Sequence, residues 1–448
     1  MPLLIALSVV LWRTPFPITE AVAIFEDAVR RPTFGWLMPE QAYYRPLFYM
    51  TVATLWRQAG SLDAALAAVK LLQIVPAVAL VVILVVHLRP RTAQEIGAAS
   101  IAVAVLMGSS GFADNLELPL SYTIVGMPIA LVVWVLLNSE PRVWRTALVV
   151  ALTVVAIGFK EQGLVVVAVA LAAWWSRAPG ATRGCAIALV AVTAAYVATR
   201  LIWRTSWAMF EQSVGVGFVE MEPAQAVERF GTFPYVVYLY SSASTVANVL
   251  FSEPSRGVFR IVDALVDGTV EVWQILHVVS STALTALIAW WGVAAIRGHR
   301  EWSYEGRLFL ALLAALLACG ALSFNYSRPR LGGMAVPFYA AAAFFAARAM
   351  TERLVAASRM HFLAVAIGLV LLSAAWHLRA VGTIEHARAT SLRNHREWLA
   401  LLPARRIEFK DRPVYLAIMD SMIAQGTSPD PPRRTRYPRP FDALMGPP

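Results

Sequence analysis

Residues 63–88 read DAALAAVKLLQIVPAVALVVILVVHL, an apolar run whose only charged residues are Asp63 and Lys70. A helix needs about 20 mostly apolar residues to cross the hydrocarbon core of a bilayer, so this stretch predicts a transmembrane helix. Runs of the same character recur near Pro2–Pro17, Glu95–Phe112, Pro119–Leu137, Val143–Phe159, Gly163–Trp175 and Gly184–Trp203. Others follow near Trp273–Ile296, Gly306–Phe324, Gly333–Met350 and Met360–Leu378. Together they predict about eleven spans, an all-α polytopic membrane protein. Composition agrees. Of the 448 residues, 58% are hydrophobic and 15% charged, where a soluble domain carries about 25% charge.

The formal charge of +10 does not point to nucleic acid, because many of the arginines sit in short loops between apolar runs. Arg89 and Arg91, Arg142 and Arg145, Arg177 and Arg183, Arg297 and Arg300, and Arg353 and Arg359 fall in alternate connections. Positive charge marks cytoplasmic loops. The remaining connections are then extracytoplasmic: the first loop (18–61), 111–118, 159–163, 204–271 and 325–333. The chain divides into an N-terminal membrane module (1–203), an outer loop (204–272), C-terminal membrane helices (273–378) and a small outer tail that is basic and proline-rich (379–448). The loop 204–271 is expected to form short helices on the membrane surface, and Pro413–Ile418 a strand. MPLLIALSVVLW reads as a first anchor rather than a cleaved signal. Cys185 and Cys319 lie inside apolar runs and build neither a disulfide framework nor a zinc site.

The outer loops carry the polar motifs. The first, PFPITEAVAIFEDAVRRPTFGWLMPEQAYYRPLFYMTVATLWR (15–57), holds Glu20, Glu26 and Asp27. A carboxylate in a partly dehydrated place can act as a general base, whereas Thr19 followed by solvated acids would be an ordinary helix start. Further on, Tyr43-Tyr44-Arg45-Pro46-Leu47 holds Arg45 extended, and a fixed guanidinium matches phosphate oxygens in a two-pronged fork. The plain reading is an arginine snorkelling beside interfacial tyrosines. At Lys160-Glu161-Gln162-Gly163 one apolar run stops and another begins, and ionisable residues at membrane depth are costly and usually functional. A Lys160–Glu161 pair that orders a tight turn is the alternative; Asp114 and Glu117 are candidates for a second acid. Arg328 and Arg330, in SRPR, repeat the arginine–proline device. The histidines, among them His87, His277, His299, His361 and His377, show no metal-ligand spacing.

Acids in the first outer loop, YYRPL before the second span and KEQG between two middle spans resemble the GT-C class of polytopic glycosyltransferases. The pattern is most similar to the transmembrane O-mannosyltransferases that carry tetratricopeptide repeats, over roughly the first two hundred residues. The repeats and the paired aspartates common in that family's first loop are missing here. The resemblance implies transfer of a sugar from a polyprenyl-phosphate carrier to a hydroxyl acceptor on protein, lipid or glycan. It implies an active site on the outer face of a bacterial inner membrane, in contact with membrane lipid and without nucleic acid. Glu20 is then the expected base, with Glu26 and Asp27 as the runner-up pair. Arg45, Lys160, Arg328 and Arg330 would be phosphate ligands, Asp114, Glu117 and Glu161 would line the substrate site, and Tyr44 would pack on sugar or isoprenoid. A divalent cation stays open as a cofactor.

Two other readings stay open. An O-antigen polymerase or ligase would place its key arginines in the later outer loop, where Arg256 and Arg260 lie. A lipid or solute transporter would show repeats and broken helices around a midplane site. The charge pattern itself makes a testable statement: reporter fusions after Trp175 and after Leu378 are expected to report opposite sides of the membrane, and two fusions on the same side would reject this topology.

Overall fold

Helices begin and end where the sequence supplies caps and breaks. The computed structural model describes residues 2–15, 21–30, 45–117, 123–202, 214–216, 219–221, 223–230, 235–251, 260–297, 302–354 and 359–426. Helix α1 (Pro2–Arg13) and the amphipathic α2 (Ala21–Arg30) open the chain. Pro46 sits in the first turn of α3 (Pro46–Gln58), where its missing N–H has no intrahelical bond to lose. Ser61 caps α4 (Leu62–Leu88) by accepting the Ala64 N–H, and Arg89 ends it in the left-handed region at φ 45°. A capping box of Thr92 and Glu95 starts α5 (Ala93–Gly108). The chain breaks at Ser109 and resumes as α6 (Ser110–Glu117) after a bend of 52°.

Four apolar rods follow: α7 (Thr123–Leu137), α8 (Val143–Phe159), α9 (Leu164–Trp175) and α10 (Arg183–Ile202). A 3-10 turn, Glu161–Gly163, separates α8 from α9. The long segment after α10 contains β1 (Val214–Val216), β2 (Val219–Met221), α11 (Pro223–Phe230), α12 (Tyr235–Leu250) and α13 (Arg260–Val266). Then come α14 (Val272–Ile296), α15 (Tyr304–Leu322), β3 (Tyr326–Ser327) and a 3-10 segment, Pro329–Ala335. Finally α16 (Val336–Leu354), α17 (Arg359–Glu408) and α18 (Pro413–Gly426) complete the described chain.

The centre of the bundle is α16. Its residues Phe338 to Phe344 are sequestered on every side, as a helix that is apolar all round must be. The alanines at 340–343 let neighbouring backbones approach closely, and α5, α14 and α15 pack against it. Among the described residues six helices are long and apolar enough to cross a membrane, or seven with the bent α5–α6 pair taken as one span. The chain is therefore a helical polytopic membrane protein. The runs forming α1, α7, α8 and α9 give shorter apolar helices, of 12, 15, 17 and 12 residues, so length alone does not reach the expected eleven.

Three features differ from expectation. Residues 379–408 continue the preceding membrane helix: α17 runs unbroken for 50 residues, about 75 Å at 1.5 Å per residue, far beyond the ~30 Å hydrocarbon core. Pro413–Ile418 is not a strand but the start of α18, because Pro413 opens a helix whose apolar side finds a partner. The outer segment holds more than surface helices. Strands β1 and β2 form an antiparallel hairpin, and β3 adds parallel to β1, tying this segment to the 325–333 loop. Helix α12 buries Val237, Ser241, Ser244, Thr245 and Asn248, packing against α15 with Thr245 Oγ1 3.0 Å from Ser327 Oγ.

A second, smaller core explains the docking of α18. Val22 and Phe25 of α2, Phe48 and Val52 of α3, and Leu66 and Val69 of α4 close around Tyr415, Met419 and Met422 of α18. Glu26 is 0% exposed at its edge; it pairs with Arg30 at 2.7 Å and with Arg412. This corrects its expected role. A general base must reach substrate, whereas this carboxylate is held between two guanidiniums and fastens α2 to the turn before α18. The asymmetry of that contact sets an expectation. Arg412→Met leaves a buried carboxylate with one partner fewer and is expected to cost about 1–3 kcal/mol. Glu26→Gln leaves two partly exposed guanidiniums that water can solvate, and is expected to cost less. Thermal unfolding in detergent, with proteolysis near α18 as a local probe, checks the order.

Candidate functional site

A break in an apolar helix puts ionisable side chains where they would otherwise be too costly. Helix α8 ends at Phe159 because Lys160 turns extended (φ −161°, ψ 148°), and the 3-10 turn closes with the Gly163 N–H donating to the Lys160 carbonyl at 2.8 Å. Gly163 is required by close approach: a Cβ there would lie 2.3 Å from the Ala156 carbonyl carbon. The turn therefore folds tightly against the last turn of α8 and fixes where Lys160 and Glu161 emerge.

Arg45 arrives from a site 116 residues earlier in the chain. It is the residue before α3, held by Pro46, and its side chain makes no cap bond to the helix. Its Nε donates to Glu161 Oε2 at 3.1 Å and its Nη2 to Glu161 Oε1 at 2.8 Å, a two-pronged ion pair. The two side chains are only 11% and 12% exposed. Arg45 is thus not an open phosphate fork; Glu161 occupies two of its donors.

Lys160 is 7% exposed and lies within electrostatic reach of Arg45, Glu161, Arg330 and Asp114. Burial, reinforced by the charges of Arg45 and Arg330 and opposed by Glu161 and Asp114, pushes its ammonium pKa down to about 7. Burial alone would raise Glu161, but the Arg45 charge and hydrogen bonds outweigh it and hold the carboxylate well below the ordinary range.

The 325–333 loop joins through its backbone. The Arg330 N–H donates to Asp114 Oδ2 at 2.9 Å, and Asn115 Nδ2 donates to the Arg330 carbonyl at 3.1 Å. Asn115 is fully buried and also bonds back to the Gly111 carbonyl at 2.6 Å. Asp114 is half-buried and anchors the loop. Arg328 lies over the Tyr326 ring, 5.4 Å from its centroid.

Of the residues expected at the site, Arg45, Asp114, Lys160, Glu161 and Arg330 form one electrostatic cluster of three basic and two acidic residues. Glu26 lies in the second core. Asp27 is half-buried on α2, and Glu117 is the last residue of α6. Glu20, Tyr44 and Arg256 lie outside the described residues. Among the described residues no group of three or more His, Cys, Asp or Glu side chains could hold a metal ion. The cluster also gains two residues that sequence reading passed over. Tyr196 of α10 comes within electrostatic reach of Glu161 and Arg45, and the buried Arg200 lies 5.9 Å from its ring centroid. Their signal was an arginine near the end of an apolar run, which reads equally well as an interfacial anchor.

Chemically, a basic-rich cluster at the break between two apolar helices can hold an anion with little competition from water. Compared with known protein families, with curated proteins and with solved structures, the chain matches none of them. The ion pair itself is testable by a double-mutant cycle. Arg45→Met or Glu161→Met alone strands a buried charge and is expected to cost about 3–5 kcal/mol. The double variant removes both charges and is expected to recover most of that in thermal unfolding; an additive loss would show that the two side chains are not coupled.

Proposed function

We infer that the chain is a membrane glycosyltransferase of GT-C-like architecture, moving a sugar from a polyprenyl-phosphate carrier to a hydroxyl acceptor. The observation that carries this reading is the meeting of YYRPL and KEQG, through the Arg45–Glu161 pair, beside Lys160, Asp114 and the SRPR loop. The motifs on which the resemblance rests are distant in sequence and adjacent in space. In the reaction, the acceptor oxygen attacks the anomeric carbon while the bond from that carbon to the phosphate oxygen breaks. A carboxylate takes the acceptor proton, and the carrier leaves as its phosphate monoester. Growing charge on the phosphate is met by Lys160 and Arg330, with Arg45 stiffened by Glu161. Two carboxylates are candidates for the base role: Glu20, on its position in the sequence ahead of α2, and Asp114, which belongs to the cluster. The outer face of a bacterial inner membrane is the proposed site of action.

A transporter is the second reading, favoured by one observation: helices are interrupted between α5 and α6, between α8 and α9, and ahead of α16. Broken helices build solute sites in transporters. Counter-transport of a labelled solute by reconstituted protein, with no covalent product, would support it.

The transferase reading is tested with a panel of polyprenyl-phosphate sugars in a reconstituted membrane assay. Lys160→Ala and either Glu20→Gln or Asp114→Asn are expected to lower transfer at least ~100-fold at unchanged membrane abundance; full activity in all three would reject it. The pH profile adds a sign. Lys160 is protonated below about 7 and neutral above. If its charge binds phosphate, kcat/KM falls as pH rises through that value, and Lys160→Arg, which stays charged, removes that limb.

A further inference from the structure

The bend between α5 and α6 opens a second polar site, on the side of α6 that faces α14 and α17. A pocket of about 30 Å³ is lined there by Ser110, His277, Arg379, Thr383, His386 and the backbone of Gly382, among others. Its centre is Arg379, which the sequence alone would assign to the start of a basic tail. The residue is instead 1% exposed inside the bundle. Its guanidinium lies 3.7 Å from the centroid of the Trp376 ring. Nε donates to the Gly108 carbonyl at 3.3 Å, and Nη1 donates to the His277 carbonyl at 3.1 Å, to Ser280 Oγ at 3.0 Å and to Ser281 Oγ at 2.6 Å. Those bonds fix the plane and position of the guanidinium.

Beside Gly108, Ala113 and Gly382, the described lining presents a guanidinium, two imidazoles and two hydroxyls, and no carboxylate. Glu385, the acid closest in sequence on α17, is drawn to Arg388 at 3.1 Å. The Ser110 hydroxyl donates to the Asn248 carbonyl at 3.3 Å, which leaves the Arg379 charge and the Thr383 hydroxyl as the groups that match a tetrahedral oxyanion. The cavity holds about two waters, which is the scale of a phosphate group. A purely structural role accounts for the bonds of Arg379 to α5 and α14. None of those bonds involves Thr383, which lines the same small space.

We propose that this pocket binds a phosphate group. Two sources share that chemistry, the headgroup of a phosphate-bearing lipid and free inorganic phosphate. The site is separate from the Lys160 cluster: it uses Ser110 and Ala113 of α6, whereas Asp114 and Asn115 of that helix hold the 325–333 loop. It would hold phosphate whether or not the chain transfers sugar.

The test reads His386 directly. Full-length protein in neutral-lipid nanodiscs is treated with diethylpyrocarbonate, and modification of His386 is followed by peptide mass spectrometry. Inorganic phosphate or farnesyl phosphate is expected to slow that modification saturably, and farnesol is not. Protection by farnesyl phosphate at far lower concentration identifies a lipid headgroup; equal potency of the two identifies free phosphate. Thr383→Val removes a hydroxyl from the pocket with little risk to folding, and is expected to raise the protecting concentration about tenfold. Modification that ignores both phosphates, equal protection by farnesol, or protection undiminished by Thr383→Val would each overturn the proposal.

Discussion

A charge placed among apolar helices must be met by another charge or by hydrogen bonds, and the Arg45–Glu161 pair is where this protein meets that constraint most fully. Both donors of the fork are satisfied by both oxygens of one carboxylate. For this to happen the chain must stop α8 early, fold a tight turn against Ala156, and start α3 with a proline that turns Arg45 away from its own helix. Each of those local features is costly or useless alone. Together they fasten the first outer loop to the middle of the chain and set the field in which Lys160 titrates.

The same logic governs the rest of the polar machinery. Straight apolar rods satisfy their own backbone bonds and need nothing from their surroundings. Interrupted ones expose N–H and carbonyl groups that something must satisfy. The bend before α6 frees the Gly108 carbonyl, which Arg379 takes up; the 3-10 segment before α16 offers the N–H and carbonyl of Arg330, which Asp114 and Asn115 bind. Chemistry therefore collects at the breaks, while the scaffold is left to packing around α16. Away from these breaks, the network of His87, Tyr304 and Trp134 and the Arg307–Asn138 bond join helices without any comparable basic cluster.

Much of this was legible in the sequence. Apolar periods and arginine-rich connections gave a helical membrane protein, and an arginine before a proline or an acid between two apolar runs marked Arg45 and Glu161 as unusual. What could not be read was who meets whom. Glu26 looked like a base in an open loop, yet a turn more than 380 residues later supplies the arginine that sequesters it. Arg379 looked like the first residue of a tail, although its helix simply continues and carries it into the bundle. Pro413–Ile418, expected as a strand, is helical because the hydrophobic groove of α2, α3 and α4 rewards a helical face.

The sequence by itself determined the solvent: runs this apolar can be satisfied only as helices in a bilayer, because no other arrangement closes their backbone hydrogen bonds within the segment. It also determined where helices start and stop, through Pro46, Ser61 and Thr92 at the starts of α3, α4 and α5 and Lys160 at the stop of α8. Only the tertiary structure decided which stops face one another. That choice depends on pairing charges that are far apart in the chain, and a pairing energy exists only once packing has brought both partners out of water.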